Sequence, residues 1–198
     1  MKTAEFKRVV RPLLPQESEW GFRKAMVYRK PVGRTLLGVL ATGSSFDNGA
    51  FITVVKMPLC VPEDTVVLDY SRRVGGGASK YYVSDRLALE AAIKEGLLEV
   101  EELTARADAT LVDIEPSMNP RTEEMRAYNL YRAGQRKNAV EILREAARYP
   151  PKYDWEREIV DRVAKMAELI GRGDDAAVDA EFRHARKHTL AALGIGDH

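Results

Sequence analysis

The spacing of apolar and polar residues changes period along the chain. In "TAEFKRVVRPLLP", Phe6, Val9, Val10, Leu13 and Leu14 recur at helical spacing. That predicts a short amphipathic helix ending near Pro15, with Pro12 kinking or shortening it. Residues 20–83 read as strands. "FRKAMVYRK" predicts one strand that stops at the turn signal Pro31-Val32-Gly33, and "RTLLGVLATG" and "FDNGAFITVVKM" predict two more. Asp47-Asn48-Gly49 marks a tight connection between those two, because Asn-Gly tolerates positive φ. Together the three runs predict an antiparallel meander. Pro58 and Pro62 interrupt it, and "TVVLDYSRRV" and "SKYYV" predict two further strands joined by Gly75, Gly76 and Gly77.

Helical spacing returns at Ser84. "SDRLALEAAIKEGLLEVEELT" sets Leu87, Ala91 or Ala92, and Leu98 on one face, with Ser84 as the cap and Gly96 as a stop or kink. "DIEPSMNPRT" reads as a linker. Beyond Pro120 the pattern is helical throughout. One helix ends at Gly134, the next at Pro150-Pro151, a third starts at a capping Asp154, and a fourth carries Val178, Phe182, Ala185, Leu190 and Leu193. The expected fold class is α+β: a strand meander over about residues 22–83, flanked by an N-terminal helix and a C-terminal helical bundle. Residues 1–115 form the sheet domain, and 120–198 form helical hairpins packed on it or beside it.

Charge adds one feature. The whole chain carries only +1, which offers no general pull toward nucleic acid or acidic lipid. Residues 1–80 hold 13 basic and 7 acidic side chains, whereas 81–118 hold 3 and 9, so a basic sheet region precedes an acidic helix. Intramolecular pairing of the two is the simplest outcome. Cys60 is the only cysteine, which rules out an internal disulfide and fits a reducing compartment. The absence of an apolar leader or a run of membrane-spanning length makes a cytoplasmic location the expectation.

Two resemblances follow from particular segments. "YRAGQRKNAVEILREAARYP", Tyr131 to Pro150, resembles most of a tetratricopeptide helical hairpin, with Gly134 at the turn, Ala139 and Ala146 where helices approach closely, and a closing proline. No second copy stands out, so a hairpin packed on the sheet domain is expected rather than a solenoid. The order of "FKRVVRPLL", the "GFRK…YRK" run at Gly21–Lys30, "AFITVVKMPLCVP", "VSDRLALEAAIKEGLLEVEELT", and the late "ELIGRGD" and "LGI" resembles the bacterial domain-of-unknown-function family 4304. That resemblance implies a strand meander flanked by helices and no established activity. Proteins of this style often serve as immunity or accessory partners in bacterial conflict systems.

No chemical motif closes. "SRRVGGGASKYYVSD" has glycines beside cations, but the order is wrong for a phosphate loop and no GxGxxG spacing exists. A bending hairpin tip is the simpler reading, with Arg72, Arg73 and Lys80 as contacts for an acidic partner. His184 and His188 stand at i, i+4 among cations and lack a third ligand; His198 is terminal. Cys60, between Leu59 and Val61, reads as buried. Trp20, Phe22, Tyr28, Tyr81 and Tyr82 lie among basic residues, and core packing explains them better than base stacking, with Phe22 and Tyr28 inward and Arg23 and Arg29 outward. No catalytic, metal or cofactor residue is assigned. The leading expectation is a non-enzymatic protein-binding module, an immunity or accessory protein among its forms. Its contacts would be Arg72, Arg73 and Lys80 together with Glu99, Glu101 and Glu102 of the acidic helix. One alternative is an enzyme or binder of a phosphorylated or nucleotide ligand at Arg72, Arg73 and Lys80. Another is a helical adaptor that holds a peptide along Tyr128, Tyr131 and Leu143.

Overall fold

The computed structural model describes residues 1–44, 46–106, 116–117 and 119–196. Much of the expected linker, and His198, lie outside them. The chain is α+β and divides into two compact units: Met1–Leu59 with Glu63–Ala107 and Lys187–His198, and Cys60–Pro62 with Asp108–Arg186.

In the first unit, α1 (Thr3–Val10) leads into an antiparallel sheet of β1 (Trp20–Arg23), β2 (Met26–Arg29), β3 (Thr35–Gly43) and β4 (Gly49–Pro58). Two short strands, β5 (Arg72–Arg73) and β6 (Tyr81–Tyr82), both pair with β4: β5 against Thr53 and Val54, β6 against Gly49 and Ala50. Helix α2 (Arg86–Ala105) follows. The runs in β3 and β4 are almost continuously apolar because both sheet faces are covered. On one face, Val27, Leu37, Val39, Ile52 and Val54 pack with Phe6 and Val10 of α1 and with Leu89, Ile93, Leu97 and Val100 of α2. On the other, Met26, Tyr28, Leu36, Val55 and Met57 pack with Leu190, Leu193 and Ile195.

Several local expectations change here. "FRKAMVYRK" is a hairpin, not one strand. Arg23 pairs with Met26 across a two-residue turn in which Lys24 takes φ 49°, a conformation that no glycine or asparagine in the sequence advertises. The hairpin puts Phe22 and Tyr28 on opposite faces, each against its own core. Arg29 shares its face with Trp20, lying 5.7 Å from that ring, while Arg23 donates from Nε to the Leu193 carbonyl. Tyr28 lies between two glycines. A Cβ on Gly21 would fall 2.2 Å from its ring, and one on Gly38 would fall 2.4 Å from the Val27 carbonyl oxygen. Helix α2 is capped by Asp85, whose carboxylate accepts from Ala88 N–H, rather than by Ser84. It runs through Gly96, where a Cβ would sit 3.1 Å from Val39, so this glycine permits close approach to the sheet. The buried face of α2 is Leu89, Ala92, Ile93, Gly96, Leu97 and Val100, leaving Leu87 and Leu98 in solvent.

The second unit holds α3 (Pro120–Arg132), α4 (Arg136–Ala146), α5 (Asp154–Gly171) and the first part of α6 (Asp175–Leu193). Glu156 takes the N–H groups of Lys152 and Tyr153 and so closes the start of α5. The turns α3–α4 and α5–α6 are the same motif. Gly134 and Gly173, 39 residues apart, both have φ 79°. Gln135 N–H reaches Leu130 O at 2.8 Å, and Asp174 N–H reaches Leu169 O at 3.0 Å, the six-to-one bond of a Schellman turn. Ala139, Leu143 and Ala146 are buried in the first hairpin, and Val178, Phe182 and Ala185 recur at the same offset in the second. The turn of the first hairpin and the spacing of its buried positions therefore recur 39 residues on.

Candidate functional site

The charged side chains singled out in the first unit are brought together, largely with one another. Arg72, on β5, donates from Nε to Glu99 at 2.8 Å and from Nη2 to Glu95 at 2.9 Å, both on α2. These carboxylates push its guanidinium pKa further up. Lys80 sits 3.0 Å from Asp47. The Lys80 ammonium, with the Gly49 N–H, holds the Asp47 carboxyl down at about 2. Arg73 lies 4.2 Å from the Phe51 ring centroid and donates to the Gly77 carbonyl at 2.6 Å. Glu101 pairs with Arg29 at 3.3 Å, and Glu102 is exposed. The basic strand region and the acidic helix thus neutralise each other across the sheet edge. Gly75 and Gly76, with φ 72° and 94°, shape the turn between β5 and β6.

The other candidates are likewise committed to local roles. Cys60 is buried, and burial pushes its thiol up to about 11, far from a nucleophilic thiolate at neutral pH. His188 reaches Asp64 at 2.9 Å. No group of three or more His, Cys, Asp or Glu residues that could hold a metal occurs among the described residues. No helix among them is long and apolar enough to cross a membrane.

The open site is in the helical unit. Tyr128 and Leu143 are buried inside it, Tyr128 edge-on to Phe182 with centroids 5.1 Å apart. The residues that line a hollow are their neighbours. Arg126, Asn129 and Leu130 of α3 with its C-cap Ala133, and Asn138, Glu141, Ile142 and Glu145 of α4, each follow the i, i+3, i+4, i+7 spacing of one helix face. Together with Gln135 they line a hollow of about 480 Å³. A second hollow of about 470 Å³ shares Arg126, Ile142 and Glu145 and continues past Glu123, Ala146 and Tyr149 to Pro116. The two make one groove along the α3–α4 hairpin.

Three properties of the groove bear on chemistry. Leu130 and Ile142 are half-buried and supply an apolar floor. Arg126 is occupied by Glu123 at 2.7 Å, whereas Glu141 and Glu145 have no ion-pair partner among the described residues, so the first hollow is acidic. Asn129 is 9% exposed, and neither its Oδ1 nor its Nδ2 has a hydrogen-bond partner. A shielded amide left in that state costs about 1–3 kcal/mol. These residues lie off the apolar stripe of each helix, which is the buried one and the stronger signal in the sequence. The signal available was the parallel polar stripe at the same spacing on both helices.

No family model matches the chain, and neither the curated proteins nor the solved structures yield a match.

Proposed function

We propose that this protein is a protein-binding module, and that the groove along the α3–α4 hairpin receives a peptide segment carrying an apolar residue beside a basic one. The observation that carries the reading is Asn129, a buried side-chain amide with both polar atoms unpartnered, in the wall of that groove. An amide offers one donor edge and one acceptor, the complement of a peptide bond, so a bound main chain would satisfy both atoms once the Asn129 side chain turns out of its buried position toward the groove. Leu130 and Ile142 supply apolar area for one side chain of the ligand, and Glu141 and Glu145 favour a lysine or arginine near it. The β5–β6 edge supports this role less well, because Arg72 and Lys80 already hold carboxylates of their own chain.

A displayed peptide library panned on the full chain tests the reading. Enrichment of segments with a basic residue next to an apolar one is expected, with binding lost in Ile142→Arg and weakened at least about tenfold in Asn129→Leu. Failure to enrich any segment, or enrichment equal on wild type and Ile142→Arg, would refute it.

A further inference from the structure

Strand β1 ends the sheet, with β2 on one side and no strand on the other. The phase of the ladder decides which of its main-chain groups are spent. Lys30 N–H reaches Glu19 O at 2.8 Å, and Ala41 N–H reaches Ala25 O at 2.9 Å. In an antiparallel ladder the bonding direction alternates residue by residue, so Glu19, Gly21 and Arg23 turn toward β2 while Trp20 and Phe22 turn away from it. Trp20 N–H is taken by Glu17 O. The Trp20 carbonyl and both main-chain groups of Phe22 make no hydrogen bond among the described residues. An unpaired edge of this kind is a template for another strand.

The side chains around this edge are basic and largely uncommitted. Trp20 and Phe22 share the sheet face covered by α1. Lys7 Nζ and Arg11 Cζ, one turn apart, lie 5.7 and 5.6 Å from the Phe22 ring centroid. Lys7, and the exposed Lys24 in the turn that follows β1, have no ion-pair partner among the described residues. Arg11 meets Glu17 at 3.5 Å, but the two side chains are 60% and 59% exposed, so water screens the pair and an incoming carboxylate can compete. The other carboxylates nearby are engaged: Glu5 takes Lys2 N–H, and Glu19 holds Arg29 at 2.7 Å. We propose that the β1 edge receives an acidic, extended segment of a partner protein as an added strand. Opposite Phe22, the incoming side chain falls on the α1 face beside Lys7 and Arg11, so that position carries aspartate or glutamate. A second copy of this chain is disfavoured, because pairing β1 with β1 would bring two sets of Lys7, Arg11 and Lys24 together. The ladder is short, so the affinity is expected in the high micromolar range.

The test titrates the isotope-labelled full chain with an acetylated, amidated peptide of about six residues that alternates glutamate and threonine, followed by heteronuclear NMR. Saturable binding with a dissociation constant below about 1 mM is expected. The Phe22 amide should shift most, and its hydrogen exchange should slow as it gains an acceptor. The matching lysine–threonine peptide should bind wild type at least about tenfold more weakly, and the preference should reverse in Lys7→Glu/Arg11→Glu, with circular dichroism confirming that this variant folds. Methylating the nitrogens of alternate peptide residues should abolish binding in one register and spare it in the other, because only every second peptide amide faces β1. The hollow at Glu141 and Glu145 is acidic and should repel this probe, so the result stands apart from the groove of the helical unit. No binding at millimolar peptide, binding that leaves the Phe22 amide unmoved, or a charge preference unaltered in the double variant would overturn the proposal. So would a dimer that protects the same amide without peptide, since it would assign the edge to a second copy.

Discussion

Replacing Arg162 by methionine probes the energetics of the helical unit at its most costly point. Glu124, on α3, is 0% exposed. Its carboxylate takes Arg162 Nε at 2.6 Å and Nη2 at 2.7 Å, and the Tyr128 hydroxyl at 2.8 Å. Methionine fills much of the volume of the arginine stem but leaves the carboxylate buried with only the tyrosine. Breaking a buried pair by removing one member costs about 3–5 kcal/mol, because the remaining charge keeps its desolvation penalty. The Arg162 side chain is 24% exposed, so water reaches one end of the pair and the lower figure applies. A loss of about 3 kcal/mol, with a urea slope near 2 kcal/mol/M, lowers the unfolding midpoint by about 1.5 M. The double variant Glu124→Met/Arg162→Met removes both charges of the pair together and unpairs the Tyr128 hydroxyl. It should therefore lose only about 1 kcal/mol relative to wild type. Urea melts of the four proteins, followed by far-ultraviolet circular dichroism, complete the cycle. A midpoint shift below about 0.5 M for Arg162→Met, or single and double effects that simply add, would refute the reasoning.

Four further outcomes follow from the same geometry. Gly38→Ala should destabilise by about 1–3 kcal/mol, because its Cβ would meet the Val27 carbonyl at 2.4 Å, whereas Gly33→Ala, with open space around it, should stay within about 0.5 kcal/mol in the same melts. Gly134→Ala and Gly173→Ala, both at φ 79°, should each cost about 1–2 kcal/mol by calorimetry, the two agreeing because the turns are alike. The Asp47 carboxyl is held below its ordinary value, so its pairing with Lys80 contributes stability above about pH 4 that is lost as pH falls through about 2. An NMR titration should place its midpoint near 2, and Lys80→Met should raise it. The Cys60 thiol, pushed up to about 11, should resist aromatic disulfide reagents at pH 8 in the folded protein and react fully in denaturant.

The meander was legible because β3 and β4 announce themselves. "TLLGVLATG" and "AFITVVKM" are dense in β-formers and joined by Asn48-Gly49. The β1–β2 hairpin was not legible, since Lys24 bends the chain without turn chemistry and only pairing with β3 fixes the register. Leu87 and Leu98 share a helical face with each other, but the sheet takes the opposite face of Leu89, Ile93 and Leu97, and periodicity alone cannot rank two apolar stripes. Gly96 looked like a breaker and proved to be a contact point, a distinction that depends on Val39, more than fifty residues away. The first hairpin was readable around Gly134. The second escaped because few residues repeat at the 39-residue offset beyond Gly173, Arg183 and Ala185, and the buried Glu124 has Val163 as its counterpart. For the site, residue types alone could not say which charges were already paired. Arg72 and Glu99 are 27 residues apart, and their bond exists only once β5 lies beside α2.

The most direct test of the proposed role is the side-chain amide resonance of Asn129, followed by heteronuclear NMR while a selected peptide is added. The expected result is a saturable shift of its Nδ2 protons as they gain an acceptor, with the largest backbone shifts at Leu130, Asn138 and Ile142. Tight binding that leaves Asn129 unmoved and perturbs the β5–β6 edge instead would contradict a groove on the α3–α4 hairpin.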